Sequence, residues 1–205
     1  MSFSTPSEKT LALLLKYEVG GGKPYYDKFL SKFTWPKGQS GPTIAIGIDC
    51  AYYTAQELAQ IFSFLPQDQI ALIQKAVGQY GAKGEAYTQV LRKAGIIVSW
   101  DQAVEIFNKY TWPKYTKLAE KAFPGLTELH PDAYGAIVSI VFNRGTSMSG
   151  DSRKEMKNIQ SLVPKKDYAG IAKEIKNMKR LWIGKGLDGL LSRRDEEAAL
   201  ILSVV

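Results

Sequence analysis

Glu18 is placed to donate a proton. Leu11, Leu14, Leu15 and Glu18 follow i, i+3, i+4, i+7 spacing, which puts one carboxyl on the apolar stripe of a short helix at its last turn. Gly20-Gly21-Gly22 stops that helix immediately afterwards. A carboxyl held against apolar neighbours keeps its proton more readily than one in water. Cleavage of a glycosidic bond needs such an acid, with a second group on the other side of the sugar. The plainer reading, a surface glutamate, sets a negative charge at the unfavourable end of the helix dipole. Other chemistries find little to build on, because Cys50 is the single cysteine and His130 the single histidine. A disulfide framework, a Cys/His zinc site and a histidine-rich nucleophilic triad are therefore poorly supported. Cys50 reads as a small packing residue, and His130, just before Pro131, as a loop or N-cap residue.

The elements around Glu18 change character along the chain. From Lys23 to Cys50 the aromatics Tyr25, Tyr26, Phe29, Phe33 and Trp35, and the alternating Thr43-Ile44-Ala45-Ile46-Gly47-Ile48, are broken by Pro36, Gly38, Gly41 and Pro42. That texture predicts a small antiparallel hairpin or sheet. Thr54 with Glu57 forms a capping-box pattern opening a helix that Pro66 stops. Helical periodicity then predicts helices near 67–78, 84–94, 99–122, 131–144, 152–162, 166–181 and 190–203. In the segment 166–181, Tyr168, Ile171, Ala172, Ile175 and Met178 share one stripe, with Lys173, Lys176 and Lys179 largely off it. The expected fold class is α+β and predominantly helical, with a small sheet-bearing lobe near the N-terminus.

At 205 residues, with 45% apolar and 23% charged residues, the chain fits a globular protein able to bury its own core, and disordered or fibrous readings are excluded. The formal charge of +7 is regional: residues 151–194 hold 12 Lys and Arg against 5 Asp and Glu, and the remainder is balanced. Solvated helix faces account for such a run, and so does attraction to a polyanion such as nucleic acid, acidic lipid or an acidic bacterial wall. The first residues carry no basic n-region, and the apolar run 11–15 is too short for a signal segment or a membrane span. Synthesis in the cytoplasm is expected, with delivery to any outside target by lysis, injection or a particle.

Three blocks of sequence resemble one family. Glu18 with Gly20-Gly21, followed by Ser40-Gly41-Pro42-Thr43-Ile44-Ala45-Ile46-Gly47-Ile48-Asp49, is similar to the Glu, then Ser-Gly-x-Thr-Ile-Gly-x-Gly-x-Asp pattern of pesticin-like and phage-type lysozymes. Ala136 to Gly145 resembles that group's helix ending in Phe-Asn-x-Gly, and Gly189 to Glu197 its Gly-Leu-x-x-Arg-Arg-x-x-Glu segment. The resemblance implies a single lysozyme-like domain over 1–205. Its small lobe would span about 20–65, its helical lobe about 66–205 plus the N-terminal helix, and a cleft would lie between them. It implies a monomeric muramidase acting on peptidoglycan, with no cofactor, no metal, no nucleic acid and no membrane insertion. Glu18 would be the general acid, and Thr43 the threonine that positions the attacking water. By the pesticin-like pattern the second carboxylate is Asp49; by the shorter phage pattern it is Asp27. A turn or capping aspartate is the plain alternative for either.

The chain also departs from the pattern. Ala45 stands where the family has glycine, Ile48 where many members have histidine, and the tract 28–39 is long. Phe29, Phe33 and Trp35 there form either a sugar platform or the small lobe's own core. Either Arg193 or Arg194 could pair with Glu18, or both could serve Asp195 and Glu197. Asn143 with Gly145 closes a helix or touches sugar. Two other function classes remain open. One is a wall-binding module that keeps the fold but has no activity; the other, a nucleic-acid binder, has no recognised motif here. Whether an active enzyme would be an endolysin, a particle-associated enzyme or an antibacterial toxin is left open by the sequence.

Overall fold

Nearly every segment with helical period is a helix in the computed structural model, which describes residues 3–205. The fold is a predominantly helical α+β fold with a two-stranded antiparallel sheet. Helix α1 covers Glu8–Val19, and the chain divides into two compact units: Glu18–Tyr110, and the preceding residues with Thr111–Val205. Among the described residues, no helix is long and apolar enough to cross a membrane.

Within Glu18–Tyr110 the chain forms α2 (Gly22–Phe29), β1 (Thr43–Ile44), β2 (Ile48–Asp49), α3 (Ala55–Ile61), α4 (Gln67–Gln74), α5 (Ala82–Lys93) and α6 (Trp100–Ile106). The capping box expected at Thr54 is present, its hydroxyl and the Glu57 carboxylate exchanging bonds with each other's backbone N–H. Helix α2 corrects the reading of 23–50 as hairpin or sheet throughout. Pro24 falls in its first turn, where a missing N–H costs nothing. Tyr26 anchors it, fully buried, with its hydroxyl donating to the Val98 carbonyl at 2.9 Å and its ring edge-on to Trp100. Aromatic residues that resemble strand texture are here one helix face held by tertiary contacts. The expected helix 99–122 is also interrupted, by a π-helical turn over Phe107–Thr111 before α7 (Trp112–Ala122). Pro113 explains the break, since its ring and missing N–H disrupt the preceding turn.

The second unit is built on α8 (Pro131–Arg144), which is buried without interruption from Asp132 to Val141. A helix that is apolar on all sides must be a central one. Helices α7 and α11 (Asp188–Leu202) pack against it, and α10 (Tyr168–Asn177) packs on α9 (Lys154–Leu162) and α11. Ile171, Ala172, Ile175 and Met178 are buried as their stripe predicts. The N-terminal part of α1 reaches α8 where Gly135 faces Thr10; a Cβ on Gly135 would lie 1.9 Å from the Thr10 hydroxyl.

His130 is an N-cap, as its place before Pro131 predicts, its Nδ1 accepting from the Asp132 N–H. The buried Asp132 carboxylate accepts the Ser7 hydroxyl at 2.6 Å and faces Lys9 at 3.3 Å. Burial pushes this carboxyl up, but the Ser7 bond, Lys9 and His130 more than offset it, and the net direction is below the ordinary aspartate value. A carboxyl lowered in the folded state adds stability that is complete above its unfolded value, about 3.9, and is lost as pH falls through the folded one. Asp132→Asn is expected to cost about 1–3 kcal/mol at pH 7. In urea unfolding, the gap between wild type and variant should shrink steadily below about pH 4.

Candidate active site

Strands β1 and β2 are two residues long, and their register sets Thr43 opposite Asp49 and Ile44 opposite Ile48. Ile44, Ala45, Ile46 and Ile48 are all buried, so hydrophobic burial fixes a hairpin too short to stand on ladder bonds alone. Its turn needs left-handed backbone at Ala45 (φ 57°) and Gly47 (φ 78°). That conformation gives the physical reason for glycine at position 45 in the pattern this block resembles. On its other edge Thr43 bridges Thr34, the two residues exchanging both backbone bonds at 2.7 and 2.8 Å. The Thr43 hydroxyl donates to the Gly41 carbonyl at 3.1 Å.

Asp49 is half-buried and holds the backbone around it. Both of its oxygens accept from the Gly41 N–H at 3.1 Å, and Oδ1 also accepts from Ala51 at 3.2 Å, capping the 3-10 turn Cys50–Tyr52. It therefore does the work of a turn and capping aspartate while lying across the sheet from Thr43. Gly41 has no room for a side chain: a Cβ would stand 2.3 Å from the Ala51 Cβ and 2.9 Å from the Asp49 carboxylate. Gly41→Ala is expected to cost about 1–3 kcal/mol in chemical denaturation. Because the same N–H holds Asp49, any activity that depends on Asp49 should fall with it.

Glu18 is the penultimate residue of α1 and the first of this unit, half-buried beside the fully buried Val19. Gly20 follows with φ 68°, ending the helix as expected. Asp27 lies on the exposed face of α2 and pairs with Lys23 one turn earlier at 2.6 Å. The hairpin thus brings Thr43 and Asp49 together and leaves Asp27 on a different element. Phe33 is core, fully buried; Trp35 is half-buried and donates to the Ser40 carbonyl; Phe29 is exposed and tilts against Tyr25. Cys50 is wholly buried, and burial pushes its thiol far up, away from nucleophilic use.

In the other unit, Arg193, Arg194 and Glu197 form a buried cluster. Glu197 Oε1 accepts from Ser139 at 2.6 Å, from Arg193 Nε at 3.2 Å and from Arg194 Nη2 at 2.9 Å, and its Oε2 lies 2.8 Å from Arg194 Nε. Burial pushes the Glu197 carboxyl up and the Arg194 guanidinium down, each held in place by the other's charge. Asp195 pairs instead with Lys179 at 2.6 Å. Asn143 is exposed, and Gly145 closes α8 in left-handed conformation at φ 71°. Among the described residues, no group of three or more His, Cys, Asp or Glu is placed to hold a metal ion.

No curated protein matches the chain. The sequence model of the family described as phage lysozyme matches residues 67–197, well over half of the chain. That stretch contains α4 to α10, most of α11, and the Arg193, Arg194 and Glu197 cluster, while Glu18, Asp27, Thr43 and Asp49 precede it. On this match, carried by the helical framework, the chain belongs to the phage lysozyme family.

Proposed function

We propose that the protein is a muramidase that hydrolyses the β-1,4 bond between N-acetylmuramic acid and N-acetylglucosamine in bacterial peptidoglycan. Family membership carries the reading as far as a glycoside hydrolase directed at peptidoglycan. The observation that supports the finer reading is the hairpin, which sets Thr43 directly opposite Asp49 in the unit that Glu18 begins. In this reading Glu18 protonates the leaving oxygen. Thr43 places the attacking water, and Asp49, held still by backbone N–H groups, supplies negative charge across the reacting sugar. Asp27 is the alternative second carboxylate.

A second reading, an inactive wall-binding module of the same fold, is favoured by one observation: the matched segment holds none of these four residues. One experiment separates the two. Purified peptidoglycan is digested, new reducing ends are counted, and the products are identified by mass spectrometry. Muramic acid at the reducing ends establishes the muramidase; a folded wild type that releases none while still sedimenting with walls establishes the module. Delivery from the producing cell to the wall by lysis, injection or a particle is the corresponding proposal for how the enzyme meets its substrate.

A further inference from the structure

Charge pairing in the unit that contains Thr111–Val205 leaves two guanidiniums over. Arg180 is spoken for by Asp151 at 2.8 Å and by the buried Glu155, and Arg194 by Glu197. Arg144 and Arg153 have no carboxylate at ion-pair distance among the described residues. Arg144 Nη2 donates to the Ser152 carbonyl, and Arg153 Nη1 meets only the Met156 sulfur, at 3.4 Å. Both are half-buried, and the buried Nε of Arg144 has no hydrogen-bond partner. Donors on a charged, desolvated group are expected to be matched by acceptors.

An aromatic ring and a second guanidinium lie close to Arg144. The Arg144 guanidinium lies 4.9 Å from the Trp182 ring centre and that of Arg194 5.7 Å from it. A guanidinium beside an aromatic ring keeps its N–H donors available for oxyanions, and of the Arg144 donors Nη2 is the one given to Ser152. Burial first, and then the charges of Arg153 and Arg194, lower Arg144 to about 10; Glu155 and Glu197 act the other way and do not cancel them. Arg144 therefore has two cationic neighbours, Arg153 and Arg194. Between the two arginines the segment 145–150 starts and ends on left-handed glycines and exposes the hydroxyls of Thr146, Ser147 and Ser149.

We infer that Arg144 and Arg153, with Trp182 and this hydroxyl-bearing segment, bind an oxyanion of the bacterial wall: a carboxylate of its peptides or a phosphate of its anionic polymers. The identity of the wall as the source rests on the muramidase reading; the anion site itself rests on the arginines. The site would give the regional positive charge a specific use, holding the polymer by its charged groups.

Calorimetric titration of the full chain at low ionic strength tests it, with three probes: a muramyl tripeptide carrying free carboxylates, the same peptide fully amidated, and glycerol phosphate. The expected result is saturable binding of the free tripeptide or of glycerol phosphate, no binding of the amidated peptide, and at least a tenfold loss of affinity in Arg144→Gln and Arg153→Gln. Which probe binds identifies the source. Circular dichroism checks both variants, and Arg153→Gln decides alone if Arg144→Gln does not fold. Failure of the wild type to bind either anion, or unchanged affinity in a folded Arg153→Gln, overturns the inference. Hydrolysis of peptide-free glycan strands by the wild type, measured alongside, reports on the muramidase independently.

Discussion

Glu197→Ala is expected to lower the stability of the protein by about 3–5 kcal/mol, the largest single effect on folding that the structure offers. The glutamate is fully buried, and its removal strands Arg194, which is also fully buried, and takes the Glu197 bond from the buried Arg193. A charge pair in the interior adds little over well-packed apolar residues, but half of one is costly because the remaining charge has lost both water and partner. For a chain of this size a change of 1 kcal/mol moves the melting temperature by roughly 2–4 °C, so a fall of about 6–20 °C is expected by calorimetry. Glu197→Gln keeps the volume and an acceptor for Ser139 and should fall less. A melting temperature within a degree of wild type for Glu197→Ala would contradict the reading of Glu197 as the buried charge partner of Arg194 and Arg193.

That cluster also shows what a sequence conceals. The pairing of Arg193 and Arg194 was legible as a choice among Glu18, Asp195 and Glu197, because helical spacing brings i+3 and i+4 residues within reach. Glu197 also accepts from Ser139 of α8, 58 residues away, a partner that no local pattern indicates. The helices from Thr54 onward were legible because their stripes are long and their caps explicit, as at Thr54 and His130. Helix α2 was not, since Tyr25, Tyr26 and Phe29 satisfy a strand pattern as well as a helical one, and the contacts of Tyr26 with Val98 and Trp100 decide between them. The hairpin was read correctly at Thr43 and Asp49, yet the use of Asp49 as the anchor of Gly41 and Ala51 is a backbone property that side-chain patterning does not carry. Arg144, Arg153 and Trp182 were hidden for the opposite reason: each is unremarkable alone, and only the tally of partners in three dimensions singles them out.

Glu18→Gln is expected to reduce kcat on peptidoglycan by roughly 10²- to 10⁴-fold, the range a positioned general acid contributes. The amide matches the carboxyl in shape but cannot give a proton to the leaving oxygen, so KM should change little while kcat and kcat/KM fall together. The comparison with the two aspartates is informative because the structure separates their other duties. Asn at position 49 can keep its oxygen at Oδ1, where it still accepts from Gly41 and Ala51, so Asp49→Asn removes the charge beside Thr43 and, of the backbone contacts, only the one that Oδ2 makes with the Gly41 N–H. Asp27→Asn removes an exposed i,i+4 ion pair worth about 0–1 kcal/mol and leaves the hairpin untouched. A loss of activity in folded Asp49→Asn with Asp27→Asn near wild type would therefore assign the second carboxylate to the hairpin. The reverse pattern would move it to α2, with Asp49 left as the anchor of the turn. Full activity in Glu18→Gln would remove Glu18 from the chemistry, whichever aspartate mattered, and with it the mechanism proposed for this chain.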